Sequence, residues 1–190
     1  MASLNVGFLV GSISSTSINR RLSQALVALA PQAGLTLTEI PIAGLPFYSA
    51  DHDGGIPVEA AEFKRAIESV DAVIVVSPEY NRSVPGVLKN ALDTASRPWG
   101  QNSFAGKPSA VIGASIGQIA TAAGQQHLRQ ILSFLDSLAM PQPEAYVQMH
   151  EGLITENGEV TDDSTAEFLL AWLRAVHAHV TKQIAGANAA

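Results

Sequence analysis

The feature that most constrains this chain is the alternation of short apolar segments with longer segments of helical periodicity. The segment Asp71–Val76, DAVIVV, is β-branched and apolar on both faces, as a strand must be when both of its faces are covered. Leu4–Val10 and Ser109–Ser115 are similar short apolar segments. Each is followed by a stretch in which apolar residues recur three and four positions apart, as on one face of a helix. The alternation indicates an α/β protein with a parallel sheet.

Two further segments complete the strand pattern. Leu35–Ile40 alternates between apolar and polar residues, and Ala145–Met149 is short and largely apolar. No repeat or linker interrupts the pattern, so we expect a single domain over residues 1–190. Five strand–helix units predict a flavodoxin-like three-layer sandwich with a five-stranded parallel sheet in the order 2-1-3-4-5. Ligands of such folds bind beyond the carboxyl ends of strands 1 and 3, which selects the loops Gly11–Asn19, Ser77–Pro85 and Ser115–Gln118.

Composition excludes several classes of function. The chain has no cysteine, which removes disulfides and thiol redox chemistry and suits the cytoplasm. The formal net charge is -6 and no basic tract stands out, so we expect no nucleic-acid partner. No segment approaches the roughly 18 apolar residues of a membrane span, so we expect no membrane contact. The five histidines lack HxxxH or HExxH spacing, and we predict no metal site.

The first loop, GSISSTSIN, follows the first strand and begins the first helix. A helix N-terminus favours anions, so the loop predicts a phosphate site built from neutral donors, with Arg20 and Arg21 just behind it. Helix capping by one serine would explain only part of this composition. The motifs GxGxxG and GxxxxGK[ST] are absent, which disfavours a Rossmann dinucleotide site and a P-loop. The candidate phosphate ligands are the hydroxyls of Ser12, Ser14, Ser15, Thr16 and Ser17 and the amide of Asn19.

The second loop, SPEYNRSVP, combines apolar surface with amide groups. Pro78 and Tyr80 supply apolar surface, and Asn81 supplies both a donor and an acceptor. The pyrimidine end of a flavin, with alternating carbonyl and N–H groups, needs such a mixture. The same residues are also common turn formers, so the residues alone leave both interpretations open.

A longer segment that contains this loop, PEYNRSVPGVLKNALDTASRP, resembles the flavin signature of the NAD(P)H-dependent FMN reductases, the group that includes bacterial quinone and chromate reductases. GSISSTSIN resembles the phosphate loop of that family, and AGKPSAVIGASIG resembles its fourth strand. The resemblance extends from about Val6 to Met149. It implies a non-covalent FMN, NADPH or NADH as co-substrate, and assembly into a homodimer or homotetramer. From the residues themselves, the apolar helices after strands three and four are the candidate subunit interface, although ordinary core packing explains them equally well.

The resemblance also implies roles for individual residues. By matching positions, the loop from Ser12 to Asn19 holds the FMN phosphate, and Ser115 approaches the isoalloxazine from the side opposite the second loop. Relatives often carry Arg where this chain has Ser14, which implies weaker electrostatic binding of the phosphate. Arg97 and Arg129 match family positions too, but solvated charges at helix ends explain them equally well. The second-loop residues that would line the ring are Pro78, Glu79, Tyr80 and Asn81.

The implied reaction is a ping-pong transfer of a hydride from NAD(P)H, through FMN, to a quinone or a similar small-molecule acceptor. No acid–base side chain is required, and we assign no catalytic residue. Two other functions remain open. Gly113-Ala-Ser-Ile-Gly117 matches the G-x-S-x-G nucleophile elbow of serine hydrolases, with Ser115 as the nucleophile. A flavodoxin-like electron carrier would bind FMN without oxidising NAD(P)H.

Overall fold

The structure, a computed structural model, describes residues 3–187 and residue 189. In this part of the chain strands and α-helices alternate from the first strand to the fourth helix, and two short strands then precede the last helix. The strands are β1 (Leu4–Val10), β2 (Leu35–Glu39), β3 (Ala72–Val76), β4 (Pro108–Ser115), β5 (Leu138–Ala139) and β6 (Ala145–Gln148). The α-helices are α1 (Ile18–Leu29), α2 (Val58–Glu68), α3 (Gly86–Ala95), α4 (Ala122–Phe134) and α5 (Asp163–Ala187).

The strands form one parallel sheet in the order β2-β1-β3-β4, and β5 and β6 both pair with the far edge of β4. The predicted order 2-1-3-4-5 is confirmed, but two short strands share the fifth position. β5 pairs with the start of β4 at Pro108, and β6 pairs with its end at Ser115. Pro141 and Pro143 lie between the two strands. Between these pairings the two β4 residues Ala110 and Val111 stand opposite the five residues 140–144, so a single continuous fifth strand does not form there.

Helices cover both faces of the sheet, as its apolar strands predict. Successive residues of a strand point to opposite faces, and in β3 Ile74 packs in one apolar cluster and Val75 in the other. The cluster of Ile74 contains side chains of α1 and α5, among them Trp172. The cluster of Val75 contains side chains of α2, α3 and α4, among them Phe63. The three-layer sandwich predicted from the sequence is therefore present.

The ends of β1, β3 and β4 bring the three predicted loops to one edge of the sheet. Val10 is in register with Val76, and Val76 with Ile112. The backbones approach closely where these strands end: a Cβ added to Gly113 would lie 2.1 Å from the carbonyl oxygen of Ser77. This packing fixes the second and third loops relative to each other.

No helix in residues 3–187 is long and apolar enough to cross a membrane.

Candidate functional site

The first loop folds its hydroxyls onto its own backbone at the start of α1. The Oγ of Ser17 accepts a hydrogen bond from the N–H of Arg20 at 3.2 Å and caps the helix. The Oγ of Ser14 accepts from the N–H of Thr16 at 3.3 Å. Ser14, Ser15 and Thr16 are exposed, whereas Ser12 and Ser17 are buried. The loop therefore offers three exposed hydroxyls beside the N–H groups that a helix leaves without partners in its first turn.

Asn19 is buried instead of facing the loop surface. Its side chain is 1% exposed, and its amide forms two hydrogen bonds of 2.9 Å with the backbone of Ala114 in β4. The amide thereby ties the first turn of α1 to the end of the strand that leads into the third loop. Its role as a phosphate ligand stays a prediction; the observed contacts give it a positioning role.

The two arginines behind the loop differ in their surroundings. Arg20 forms a bidentate pair with Glu39 of β2, with Nη1 2.9 Å from Oε2, and hydrogen bonding to Glu39 raises the pKa of Arg20. Its guanidinium is thereby held toward β2. Arg21 is half-buried and has no such carboxylate pair among the described residues; both arginines line a groove of about 400 Å³ beside Ser15 and Thr16. The exposed hydroxyls and helix N–H groups are thus the main donors of the loop itself.

The second loop is a tight reverse turn over Tyr80–Ser83. The N–H of Tyr80 donates to the carbonyl of Ser83 at 3.0 Å, and the N–H of Ser83 donates back at 2.9 Å. Asn81 and Arg82 between them have positive φ of 51° and 64°, as in a type I′ turn. This turn leaves Tyr80 50% exposed and also exposes Asn81. The turn interpretation and the flavin interpretation are therefore compatible, since the turn exposes two of the side chains that are predicted to line the ring.

Glu79 joins the second loop to α4. Its side chain is 6% exposed, and its Oε2 accepts a hydrogen bond from the N–H of Gly124 at 2.8 Å. Thr121, the residue at the N-terminus of α4, provides no side-chain cap. A carboxylate from another loop thus satisfies a free N–H group and complements the positive end of the helix dipole. The sequence identifies Glu79 as a candidate but not its partner Gly124. A glycine near the start of a helix is nevertheless a signal that another part of the chain approaches its backbone closely.

The third loop faces the second loop across an open cleft. The Oγ of Ser115, at the end of β4, accepts from the N–H of Gly117 at 3.2 Å, and Ile116 is 79% exposed. The cleft is about 530 Å³, within the roughly 300–1,000 Å³ of small-molecule sites. Its lining residues are Glu79, Asn81, Arg82, Ser115, Ile116, Gly117, Gln118, Ile119 and Ala120. Pro78 is buried at the end of β3 and supports the turn from below.

The donor set suits FMN. Neutral hydroxyls and helix N–H groups at one loop match a phosphate, and the apolar and amide groups of the other two loops match a flat heterocycle with polar edges. The predicted ligands lie on three loops at this edge of the sheet, but they line two separate cavities. Ser15, Thr16 and Ser17 line the groove beside Arg21, and Glu79, Asn81 and Ser115 line the cleft. Among the described residues no group of three or more His, Asp or Glu side chains is placed to hold a metal ion.

The serine-hydrolase interpretation of Ser115 is not favoured. Ser115 continues β4 and pairs with Gln148, and α4 begins only at Ala122, so the sharp strand-to-helix turn of a nucleophile elbow does not form here. The hydrogen bonds of the histidine rings go elsewhere in the described residues: Nδ1 of His127 lies 3.0 Å from Ser83 Oγ, and Nε2 of His179 lies 2.8 Å from the carbonyl of Leu138. Nδ1 of His150 lies 3.1 Å from the carbonyl oxygen of Glu151, so none of the hydrogen bonds of histidine rings in the described residues reaches Ser115.

This chain is similar to known reductases over most of its length. The family model for NADPH-dependent FMN reductases matches residues 4–152. A 2-hydroxy-1,4-benzoquinone reductase of a Burkholderia species is 45% identical over 90% of this chain and 97% of its own length. A quinone reductase of Pseudomonas putida is 42% identical over 89% of this chain and 90% of its own length. The solved structure of FerB, a flavoenzyme NAD(P)H:acceptor oxidoreductase from Paracoccus denitrificans, is 40% identical and superimposes with a TM-score of 0.90, covering 95% of this chain and 98% of FerB.

Proposed function

We propose, from the premise that this chain belongs to the NADPH-dependent FMN reductase family, that it binds FMN with its ring in the cleft between the second and third loops and its phosphate at the first loop, and that it reduces quinones. Membership makes the chain an oxidoreductase that uses FMN and NAD(P)H. The observation that carries the proposal is the convergence of the three loops at the ends of β1, β3 and β4. We further propose that residues 1–190 form one FMN-binding domain and that it works in the cytoplasm, which suits a chain without cysteine.

In the proposed complex the first loop holds the phosphate. The hydroxyls of Ser14, Ser15 and Thr16 and the free N–H groups of α1 donate to it, and Ser12 and Ser17 shape the loop through hydrogen bonds to its backbone. The exposed donors of the loop itself carry no charge, so hydrogen bonds and the helix dipole recognise the phosphate, with Arg20 and Arg21 lining the same groove.

The second and third loops hold the isoalloxazine in the same complex. Tyr80 and Asn81 present an aromatic ring and an amide from the rigid turn, and Ser115 approaches from the opposite wall. Glu79 keeps the turn in place through Gly124, so these groups do not reorganise when charge develops on the ring. FMN supplies the hydride chemistry when bound, and the chain supplies position, hydrogen bonds and an open face.

The acceptor class comes from the relatives. The quinone reductase of Pseudomonas putida and the 2-hydroxy-1,4-benzoquinone reductase of a Burkholderia species are 42% and 45% identical to this chain. The cleft is open on the side of Ile116, so we propose that the nicotinamide and the quinone occupy the same place in turn, as a ping-pong reaction requires.

An anaerobic titration tests this function. The FMN-loaded protein is mixed with NADPH or NADH while flavin absorbance is followed, and 1,4-benzoquinone is then added. We expect bleaching by at least one nicotinamide and recovery by the quinone. Bleaching by neither would contradict reductase activity and leave an electron carrier as the better interpretation. Hydrolysis of p-nitrophenyl acetate that is abolished by Ser115→Ala would support the hydrolase instead.

We also propose that α3 and α4 form a homodimer interface. A groove of about 730 Å³ runs between these helices, and Phe134 beside it is 76% exposed. Burial of such an exposed apolar ring under a second subunit is favourable, because it removes apolar surface from water. Light scattering on size-exclusion fractions tests the interface: Phe134→Glu should give monomers, whereas Phe168→Glu on α5 should leave the assembly intact. Dimers or tetramers that persist in Phe134→Glu would contradict this interface.

A further inference from the structure

The charged side chain of Arg82 lies at the mouth of the cleft and has no role in the proposed flavin site. Among the residues that line the cleft, Glu79 and Arg82 carry charge. The Glu79 side chain is 6% exposed with both carboxylate oxygens hydrogen-bonded, whereas the Arg82 side chain is 69% exposed. An entering molecule therefore meets a cation, although the formal net charge of the chain is -6.

Glu79 fixes one end of the Arg82 guanidinium. Nη1 of Arg82 donates to Oε1 of Glu79 at 3.0 Å, and this is the hydrogen bond that the guanidinium makes within the described residues. A guanidinium carries five N–H donors in a planar fork. The remaining donors are free to bind an oxyanion. Because the bond to Glu79 already restrains the Arg82 side chain, less conformational entropy is lost when an oxyanion binds.

The backbone of Arg82 also points to a functional constraint. Its φ is 64°, at the second central position of a type I′ turn, where glycine is strongly preferred. A long side chain in the left-handed region is disfavoured, and conformations of this kind cluster at functional sites. A glycine would satisfy the turn better, so the arginine is better explained by what its side chain does in the cleft.

We propose that Arg82 is a specificity-determining residue that selects negatively charged quinones, such as deprotonated hydroxyquinones, over neutral quinones. This inference rests on the proposed function, because it takes the cleft to be the place where the acceptor meets the flavin. The guanidinium pairs with the anionic oxygen of the acceptor while the quinone ring lies against the open face of the cleft. Salt should weaken this selection, since both charges are exposed to solvent.

The test uses the FMN-loaded enzyme after photochemical reduction, so that NAD(P)H, itself an anion, is absent. Stopped-flow measurements give the second-order rate constant of flavin reoxidation by anthraquinone-2-sulfonate and by neutral 1,4-benzoquinone. Arg82→Gly removes the cation and suits the turn, Arg82→Lys keeps the charge, and Arg174→Gln makes the same charge change as Arg82→Gly on α5.

We expect Arg82→Gly to lower the rate constant for the sulfonate about five- to tenfold, as for an exposed charge-assisted contact, and to change that for benzoquinone less than about twofold. Arg82→Lys should recover part of the loss, and Arg174→Gln should match the wild type. An equal change for both quinones, or no loss for the sulfonate, would overturn the proposal and leave the reductase function standing. Reduced enzyme that neither quinone reoxidises would overturn both.

Discussion

The side-chain amide of Asn19 and the backbone of Ala114 are joined by two hydrogen bonds of 2.9 Å, in which Nδ2 donates to the carbonyl and Oδ1 accepts from the N–H. The first residue belongs to α1 and the second to β4. This pair therefore couples the loop proposed for the phosphate to the loop proposed for the ring. Because both groups are buried, the link is stronger than the same contact at the surface would be.

Replacing Asn19 should weaken both the fold and the flavin site. Asn19→Ala leaves the N–H and carbonyl of Ala114 without these partners, which we expect to cost about 2–3 kcal/mol of unfolding free energy. Urea denaturation measures the loss, with Gln24→Ala on the exposed face of α1 as the control. Equal midpoints for the two variants would contradict the positioning role of the amide.

Gly113 should tolerate no side chain, in contrast to Gly117. A Cβ on Gly113 would lie 2.1 Å from the Ser77 carbonyl oxygen, whereas one on Gly117 would meet Ser115 Oγ at 3.6 Å. Gly113→Ala should force the ends of β3 and β4 apart and cost about 3 kcal/mol. Gly117→Ala should stay within about 0.5 kcal/mol of the wild type. Thermal or urea denaturation of both variants checks the difference, and similar stabilities would refute the close approach.

Lys64 should make stability depend on pH in the alkaline range. Its ammonium is buried and donates to the carbonyls of Ala95 and Gln101 and to Ser103 Oγ. Burial lowers the pKa of Lys64 from its ordinary value of 10.5. The unfolded chain thus binds this proton more tightly than the native protein. The contribution of Lys64 to stability therefore rises as pH increases from the lowered native pKa toward 10.5.

Lys64→Met is the variant that isolates this effect. At neutral pH it should lose about 2 kcal/mol, because three acceptors lose their donor. The difference in unfolding free energy between the wild type and Lys64→Met should be larger at about pH 10 than at about pH 8. A difference that shrinks over this range would contradict the direction of the shift.

Asp162 should stabilise the start of α5 only when it is ionised. Its Oδ2 accepts hydrogen bonds from Ser164 Oγ at 2.6 Å and from the N–H and Oγ1 of Thr165 at 2.7 Å. These bonds hold the pKa of Asp162 below its ordinary value of 3.8. The stabilisation is thus complete above that value and disappears as pH falls through the lowered pKa. Asp162→Asn should lower the Tm at neutral pH, and the difference from the wild type should disappear in acid. Glu156→Gln, which makes the same change of charge, is the control. An unchanged Tm of Asp162→Asn at neutral pH would count against the stabilising role of Asp162.

The sequence predicts local features of this molecule better than its long-range contacts. Periodicity is enough to place β3 and the helices, because the spacing of apolar residues along the chain indicates whether one face or both faces of an element are buried. The division of the fifth strand is less visible, although Pro141 and Pro143 mark it. The partners of Asn19 and Glu79, in contrast, lie 95 and 45 residues away. Only the packing of the sheet brings such residues together, so the sequence alone does not predict these contacts, and the ligand roles of Asn19 and Glu79 stay predictions.

The most direct test of the central claim is a calorimetric titration of the flavin-free protein with FMN and with riboflavin. If the first loop holds a phosphate and the other two hold the ring, FMN should bind one molecule per chain and riboflavin should bind at least about tenfold more weakly, as expected for the loss of charge-assisted hydrogen bonds. Tyr80→Ala should weaken the binding of both by a similar factor. Equal affinity for FMN and riboflavin, or no binding of either, would contradict the account.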